Sequence, residues 1–132
     1  EVYPGMPELL DRLCQAGKTM MVATYKPEVF ARKILDHFQL AAYFSFVGGA
    51  TLDGVRSTKE EVIDYVLKTK EVVSLSEVIM VGDRKFDILG AKHAGVSSVG
   101  CVYGYGSREE LETAGADYVV DSIGELQNLL LP

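Results

Sequence analysis

The sequence predicts an α/β fold, with a doubly wound, Rossmann-like parallel sheet in three α/β/α layers. Two observations predict it. Short apolar runs alternate with amphipathic helical segments along the whole chain, which is typical of successive βαβ units. The 132 residues suit one domain, and neither a repeat nor a linker-like stretch divides them. We therefore expect a single domain over residues 1–132.

The first half of the chain is predicted to fold as helix, strand, helix, strand and helix. Pro27 suits a helix start, where its missing N–H costs nothing. Ser57 and Glu60 match the S-x-x-E pattern of a capping box at the start of the third helix. The predicted elements are a helix over 7–16 with Leu9, Leu10, Leu13 and Cys14 on its apolar face, a strand over 19–23, a helix over 27–38, a strand over 43–47 followed by a Gly48-Gly49 turn, and a helix carrying Val62, Ile63, Val66 and Leu67.

The second half repeats this alternation. The predicted elements are a strand over 78–81 that ends in Gly82-Asp83, a helix carrying Phe86, Ile88, Leu89 and Ala91 that stops near Gly95, a strand over 96–102, short helices around 108–113 and 122–131, and an edge strand over 118–120. In doubly wound sheets, ligands bind beyond the carboxyl ends of the strands. The residues that follow each strand are therefore the first candidates for function.

Composition limits the classes of partner. The net charge of −6 and the absence of a basic stripe argue against a nucleic-acid partner. No apolar run reaches the roughly 18 to 20 residues that span a bilayer, so we expect no membrane partner. Cys14 and Cys101 are too few for a disulfide framework and are expected to be buried hydrophobes in a reducing compartment. With no signal peptide visible, the prediction is a cytoplasmic protein.

Two acidic residues follow the strand over 78–81. Asp83 ends that apolar run, and Asp87 comes four residues later, on the same face of the next helix. Convergent carboxylates repel each other, and a hard cation such as Mg²⁺ resolves the conflict. The alternative is structural, with Asp83 as a helix cap and Asp87 as a first-turn acid that complements the helix dipole. The residues alone favour neither.

A hydroxyl and a lysine lie at other strand ends. Thr24 ends a buried strand directly before a helix start, where backbone N–H groups can bind phosphate. Lys59 lies in the first turn of its helix, a position that the helix dipole makes unfavourable for a cation unless an anion is near. A strand hydroxyl and a solvated surface lysine are the plainer interpretations. Taken together with the paired acids, the residues suit a bound phosphate with Mg²⁺.

Three segments carry a resemblance to a known family. They resemble the haloacid dehalogenase superfamily, most closely its phosphoglycolate phosphatases and 5′-nucleotidase-like enzymes, and GDRKFDILGAK is the most specific stretch. The segments are YPGMPELLDRLCQAGKTMMVATYKPEVFARKILDHF, RSTKEEVIDYVL and VIMVGDRKFDILGAKHAGVSSVGCVYGYGSREEL. The resemblance implies a Mg²⁺-dependent phosphatase that acts on a small phosphate ester through an aspartyl-phosphate.

The resemblance also implies roles for individual residues. Thr24 resembles the hydroxyl that binds the phosphate, and Lys59 the lysine that steadies the phosphate and the nucleophile. Asp83 resembles the acid that holds Mg²⁺, with Asp87 at the metal or just behind its ligands. Tyr25 and Lys26 would line the phosphate pocket from a loop. The segment Tyr103–Ser107 either forms part of the rim or is a plain turn.

One family motif is missing. The D-x-D segment that supplies the nucleophile does not occur, since Asp53-Gly54 follows Thr51-Leu52, and the helical cap is absent as well. The resemblance implies a vacant strand position between the strand ending at Thr24 and the strand ending at Asp83. Another chain could supply that strand, the chain could be truncated, or the two flanking strands could pair with each other.

These departures lead to four further expectations. The exposed strand edges would favour self-association. The chain alone would turn over nothing, because the attacking carboxylate is absent. A non-catalytic phosphate- and metal-binding module is the alternative function. A phospho-acceptor domain of the response-regulator type is disfavoured, because no acidic cluster precedes Thr24.

Overall fold

A computed structural model describes residues 3–132 of the chain. Helices and parallel strands alternate along these residues, which confirms the predicted α/β class. Two short 3₁₀ turns, Ala41–Tyr43 and Leu75–Glu77, each precede a strand. The elements are α1 (Met6–Gln15), β1 (Met21–Pro27), α2 (Glu28–His37), β2 (Phe46–Ala50), α3 (Lys59–Thr69), β3 (Ile79–Gly82), α4 (Lys85–Ala94), β4 (Ser97–Cys101), α5 (Arg108–Ala114), β5 (Tyr118–Val120) and α6 (Ile123–Leu130).

The strands form two separate parallel sheets. One holds β1 and β2, and the other has the order β3-β4-β5. Among residues 3–132, β1 pairs only with β2 and β3 pairs only with β4. The strand that ends near Thr24 and the strand before Asp83 are therefore not hydrogen-bonded to each other. Of the three alternatives for the vacant strand position, pairing between the two flanking strands is excluded for the described residues.

Helices cover both faces of the larger sheet. Val99 and Cys101 of β4 lie in a buried cluster with Leu13 of α1 and Leu126 of α6. Successive residues of a strand point to opposite faces. In agreement, Gly100 faces α5, where an added Cβ would lie 3.0 Å from the side chain of Leu111. The sheet is therefore covered on both sides, as predicted for a doubly wound fold.

Strands β1 and β3 are less buried than β2 and β4, the strands they pair with. In β2 and β4 all residues but the first are buried, whereas no residue of β1 or β3 is. Val81, in the middle of β3, exposes 36% of its surface. Strands of a parallel sheet are normally buried on both faces and paired on both edges, except at the two sides of the sheet. The low burial of β1 and β3 agrees with their pairing on one edge only within residues 3–132.

Helices α3 and α4 pack side by side and bring two candidate residues together. Val62 and Ile88 are fully buried. The approach is close at Gly90, where a Cβ would lie 2.7 Å from Ile63 Cδ1 and 3.2 Å from Lys59 Cγ. Because real Cβ contacts are not this short, glycine at this position permits the helix contact. The contact sets the start of α3 beside the first turn of α4.

Two of the predicted strands run three or more residues beyond their predicted ends. The second strand begins at Phe46, because Ala41–Tyr43 forms a 3₁₀ turn, and it includes the Gly48-Gly49 pair that was predicted as a turn. Glycine is needed at position 49 because the backbone at the start of α2 is close there: a Cβ at Gly49 would lie 2.6 Å from Glu28 Cα. The first strand runs on through Pro27, so Tyr25 and Lys26 lie in the strand and not in a loop after it.

Two local predictions were wrong. Cys14 is exposed, because the packed face of α1 is centred on Leu9 and Leu13 and Cys14 lies about 100° round the helix from Leu13. Cys101 is buried as predicted. The capping box at the start of α3 is formed by Thr58 and Glu61, one residue after the predicted Ser57 and Glu60.

Across residues 3–132, each helix is too short or too polar to span a bilayer.

Candidate functional site

A bulge in β1 sets Thr24, Tyr25 and Lys26 out of the strand ladder. Ala23 pairs with Gly48 and Pro27 with Ala50, so residues 24–26 lie opposite Gly49 alone. The Lys26 N–H donates to Thr24 Oγ1 at 3.2 Å, which closes a local turn inside the bulge. Tyr25 is 61% exposed. Bulges of this kind re-aim side chains at a strand end, and here the re-aimed side chains are the predicted phosphate-binding residues.

Glu28 and Arg56 form an ion pair that holds Gly49, the residue opposite the bulge. The Gly49 N–H donates to Glu28 Oε1 at 3.3 Å, and Arg56 Nε donates to the Gly49 carbonyl at 2.8 Å. Arg56 also pairs with Glu28 at 3.5 Å and stacks over the Tyr65 ring, 3.5 Å from its centroid. The backbone of β2 at Gly49 is therefore held from both sides, which gives the bulge a rigid partner. The sequence patterns did not indicate this network.

A complete capping box starts α3 directly before Lys59. The Glu61 N–H donates to Thr58 Oγ1 at 3.1 Å, and Glu61 Oε1 accepts from the N–H groups of Ser57 and Thr58 at 2.9 and 3.0 Å. These backbone hydrogen bonds hold the pKa of Glu61 below its ordinary value. The cap fixes the first residue of the helix, and that residue is Lys59.

The Lys59 ammonium links β1 of the smaller sheet to α4, the helix that follows β3. Nζ donates to the Ala23 carbonyl of β1 at 2.9 Å and lies 2.6 Å from Asp87 Oδ1 on α4. The Lys59 side chain is only 11% exposed and that of Asp87 9%. Nζ also lies 5.8 Å from the centroid of the Tyr25 ring. Lys59 is therefore a largely buried, paired lysine beside the bulge of β1, and not a solvated surface residue.

Asp87 uses both carboxylate oxygens within the protein. While Oδ1 faces Lys59, Oδ2 accepts from the N–H groups of Asp83 and Arg84 at 3.0 and 3.2 Å. The N-cap position of α4 belongs to Arg84, so Asp83 does not cap this helix. Asp87 therefore closes the turn before α4 and balances the charge of Lys59. Asp87 lies in the first turn of α4, as the structural interpretation of this acid predicted.

Asp83 is held by the segment that follows β4. Tyr105 N–H donates to Asp83 Oδ2 at 3.0 Å, and Gly106 N–H donates to the Asp83 carbonyl at 2.8 Å. Within residues 3–132, no donor lies on Asp83 Oδ1. One oxygen of this half-buried carboxylate is therefore fixed in direction, and the other is available to a ligand.

Glu110 holds the residues that follow Asp83, and sequence reasoning missed it. Its Oε2 accepts from Lys85 N–H at 2.7 Å and from Arg84 Nε at 2.9 Å. These hydrogen bonds, that from the Lys85 backbone first, hold the pKa of Glu110 below its ordinary value. Ser107 and Glu110 match the S-x-x-E capping pattern, and Ser107 does cap α5. The Glu110 side chain instead reaches across to α4, so the pattern gave no signal for its role.

Three of the six predicted site residues, Lys59, Asp83 and Asp87, lie along one chain of contacts. It runs from Ala23, next to Thr24, through Lys59 and Asp87 to Asp83. For the Lys26 side chain, the described residues show no hydrogen bond or ion pair. No group of three or more His, Cys, Asp or Glu side chains is placed to hold a metal within residues 3–132. Asp83 therefore stands as a single available carboxylate at the site.

A family model matches most of the chain. Residues 1–101 match the haloacid dehalogenase-like hydrolase family. The matched span includes the bulge of β1, Lys59, and the turn from Asp83 to Asp87. It ends at the last residue of β4, before the segment that holds Asp83.

Curated relatives and a solved structure agree with this match. A 5′-nucleotidase of Pseudomonas aeruginosa is 40% identical over 98% of this chain and 58% of its own length. A phosphoglycolate phosphatase of Vibrio parahaemolyticus is 39% identical over 95% of this chain and 54% of its own length. The crystal structure of a predicted phosphatase from Clostridium acetobutylicum superimposes with a TM-score of 0.96 at 45% identity, covering 99% of this chain and 60% of that one. The chain thus spans little more than half the length of the curated relatives.

Proposed function

This chain belongs to the haloacid dehalogenase-like hydrolases, and we propose that it forms the phosphate- and metal-binding part of a phosphomonoesterase for small phosphate esters. The observation that carries the proposal is the pairing of Lys59. An ammonium group has three donors. Two are directed to Ala23 and Asp87, at 2.9 and 2.6 Å. The third remains for an anion next to the bulge of β1, so Lys59 can bind a phosphoryl group without losing its fixed position.

The bulge of β1 supplies the rest of the proposed phosphate site. Thr24 offers a hydroxyl, Tyr25 a backbone N–H group and Lys26 a second cation, while the Lys26 N–H holds the Thr24 hydroxyl in place. Preorganised donors of this kind stabilise the charge that develops on a transferring phosphoryl group. In this assignment Thr24 and Lys59 are the catalytic groups. Tyr25 and Lys26 add to binding.

The donor set fits Mg²⁺ in part. This ion commonly takes one or two carboxylates, with water and phosphate oxygens as its other ligands. Asp83 can supply one carboxylate, because one of its oxygens is not used within residues 3–132. Asp87 fits a position behind the metal, where it orients Lys59 and the turn at Asp83. Bound Mg²⁺ would neutralise charge on the phosphoryl oxygens.

The attacking carboxylate is proposed to come from outside these 132 residues. The sequence has no D-x-D segment after an apolar run, and a nucleophile is needed for an aspartyl-phosphate. The unpaired edges of β1 and β3 support a strand position between them for that segment. On this proposal the chain alone is inactive. Its open edges would favour self-association until a strand fills the gap.

The names of relatives and the cysteine content support the proposals for substrate and location. Relatives named 5′-nucleotidase and phosphoglycolate phosphatase support a small phosphate ester such as a nucleoside monophosphate or phosphoglycolate. Nucleic acid and membrane are not proposed as partners, given the net charge of −6. We propose a cytoplasmic location from the two unpaired cysteines.

A titration of the chain with inorganic phosphate in the presence of MgCl₂, followed by amide NMR shifts, tests the phosphate site. We expect shifts at residues 24–26, 59 and 83, and binding weakened about tenfold or more by Lys59→Met, since hydrogen bonds to charged groups are worth about 1.5–3 kcal/mol. Lys68→Met is the control, because that lysine is exposed and pairs with Asp64 on its own helix. Equal affinity of Lys59→Met and the wild type would contradict the proposal.

A further inference from the structure

The segment after β4 touches Asp83 at four points. Its N–H groups at Tyr105 and Gly106 donate to Asp83, at 3.0 and 2.8 Å. The other two contacts are steric, because a Cβ on Gly104 would overlap the Asp83 side chain and a Cβ on Gly106 would overlap the Asp83 carbonyl oxygen. We call Gly104, Tyr105 and Gly106 the glycine segment.

The two glycines are not explained by backbone conformation. Neither has a φ in the left-handed region, in contrast to Gly95 and Gly115, which end α4 and α5 with φ of 80° and 94°. Any L-residue can adopt a backbone outside that region. Space is what requires glycine at 104 and 106, and the atoms that take up the space belong to Asp83.

The segment is itself anchored to the turn that it contacts. Glu110, in the first turn of α5, accepts from Arg84 Nε and Lys85 N–H at 2.9 and 2.7 Å. The Ser107 hydroxyl caps α5 by accepting from the Glu110 N–H at 3.0 Å. The glycine segment and α5 therefore hold three consecutive residues, 83–85, through main-chain and side-chain hydrogen bonds.

From these contacts we propose that Gly104 and Gly106 are positioning residues for the Asp83 carboxylate, a role that rests on the proposed function of Asp83 as a cation ligand. The Tyr105 N–H fixes Oδ2, and the glycines let the backbone come close enough to make that hydrogen bond. The remaining oxygen, Oδ1, is thereby aimed at one place. A ligand held in one direction binds a cation without the entropic cost of ordering its side chain.

The test uses the ¹⁵N-labelled 132-residue chain and MnCl₂, with paramagnetic broadening of amide signals as the readout. In the wild type we expect broadening at residues 83–85 and 104–106, and its loss in Asp83→Asn. Gly106→Ala and Gly104→Ala should raise the Mn²⁺ concentration for half-broadening about tenfold, which corresponds to the loss of one hydrogen bond to a charged group.

Gly124→Ala is the matched control. It lies in α6, its φ is not in the left-handed region, and an added Cβ would lie no closer than 3.7 Å to another group, Ser122 Oγ. It should leave the Mn²⁺ midpoint unchanged. Glu110→Gln serves as a milder variant should an alanine prevent folding, and thermal unfolding of each variant separates lost binding from lost stability.

The outcomes separate the two proposals. If Gly104→Ala and Gly106→Ala stay folded and bind Mn²⁺ as the wild type does, the positioning role is overturned while Asp83 stands as a cation ligand. If the wild type shows no broadening that depends on Asp83, the proposed metal role of Asp83 and the positioning role fail together. Weaker binding in the two variants with an unchanged Gly124→Ala supports both.

Discussion

Lys59 Nζ and Asp87 Oδ1 lie 2.6 Å apart, and this ion pair joins the helix that follows the smaller sheet to the helix that follows β3. Nζ also bonds the Ala23 carbonyl of β1 at 2.9 Å. The two sheets share no ladder within residues 3–132. The largely buried Lys59 is therefore among the groups that fix the position of β1 relative to α4.

Double-mutant cycles on Lys59→Met and Asp87→Asn should give a coupling free energy of about 1–3 kcal/mol, in the range for contacting residues in one network. The cause is burial, because removing one partner leaves a charge with little solvent around it. Urea unfolding of the two single variants and the double variant measures the coupling.

Lys68 and Asp64 provide the control pair. They lie 2.9 Å apart on the same α3 helix, but their side chains are 78% and 53% exposed. Exposed i,i+4 pairs contribute about 0.3–0.5 kcal/mol. Couplings of equal size for the two pairs would show that the Lys59–Asp87 contact is no more than a surface ion pair.

Thr58→Ala should lower the free energy of unfolding by about 1 kcal/mol, the usual cost of losing a helix N-cap. Ser57→Ala should cost little, since only its backbone N–H takes part in the cap. Thermal or urea unfolding of the two variants measures both effects. A larger loss from Ser57→Ala would place the cap one residue earlier, as the sequence pattern predicted.

The free energy of unfolding should decrease in acid, partly because the Glu110 carboxylate becomes protonated. Hydrogen bonds from the Lys85 backbone and then from Arg84 hold its folded-state pKa below the ordinary 4.5. A carboxylate with a lowered pKa stabilises the fold above its unfolded-state pKa, and this contribution is lost as pH falls through the folded-state pKa. Glu110→Gln should therefore be less stable than the wild type at neutral pH, and the difference should shrink below about pH 4.5.

Thermal unfolding at pH 7, 5, 4 and 3 measures this convergence. Glu109→Gln is the control, because it lies on the same first turn of α5 and makes no hydrogen bond or ion pair to Arg84 or Lys85. A gap between Glu110→Gln and the wild type that stays constant from pH 7 to 3 would contradict the assigned role of the carboxylate.

The fold class was predictable because the alternation of apolar runs and amphipathic segments indicates the order of strands and helices. Runs such as Thr19–Ala23 and Val78–Val81 stand between amphipathic segments, and the last three residues of each lie in a strand. Local boundaries were less predictable. Two overlapping patterns, Ser57 with Glu60 and Thr58 with Glu61, both match a capping box, and the structure forms the second.

The sequence marked the segments that carry the candidate residues, but not the contacts between them. Asp83 directly follows β3, and Thr24 lies in the bulge of β1, both near the carboxyl ends of parallel strands. The partners of Lys59 depend on how α3 packs on α4 at Gly90, and the partner of Glu110 depends on how α5 meets α4. Contacts between elements far apart in the chain leave no local pattern, so the roles of Ala23 and Glu110 were found only in the structure. The segment Tyr103–Ser107 was predicted as a possible rim, but its hydrogen bonds to Asp83 were not.

Hydrolysis of p-nitrophenyl phosphate with MgCl₂ tests the central claim most directly. It compares the 132-residue chain, a version extended upstream through any D-x-D segment that the gene encodes, and Asp83→Ala and Asp53→Ala in the extended version. We expect activity only in the extended protein, its loss in Asp83→Ala, and its retention in Asp53→Ala, since the Asp53 carboxylate accepts from the Val55 N–H within its own loop. Turnover by the 132-residue chain itself, or full activity of Asp83→Ala, would contradict the account.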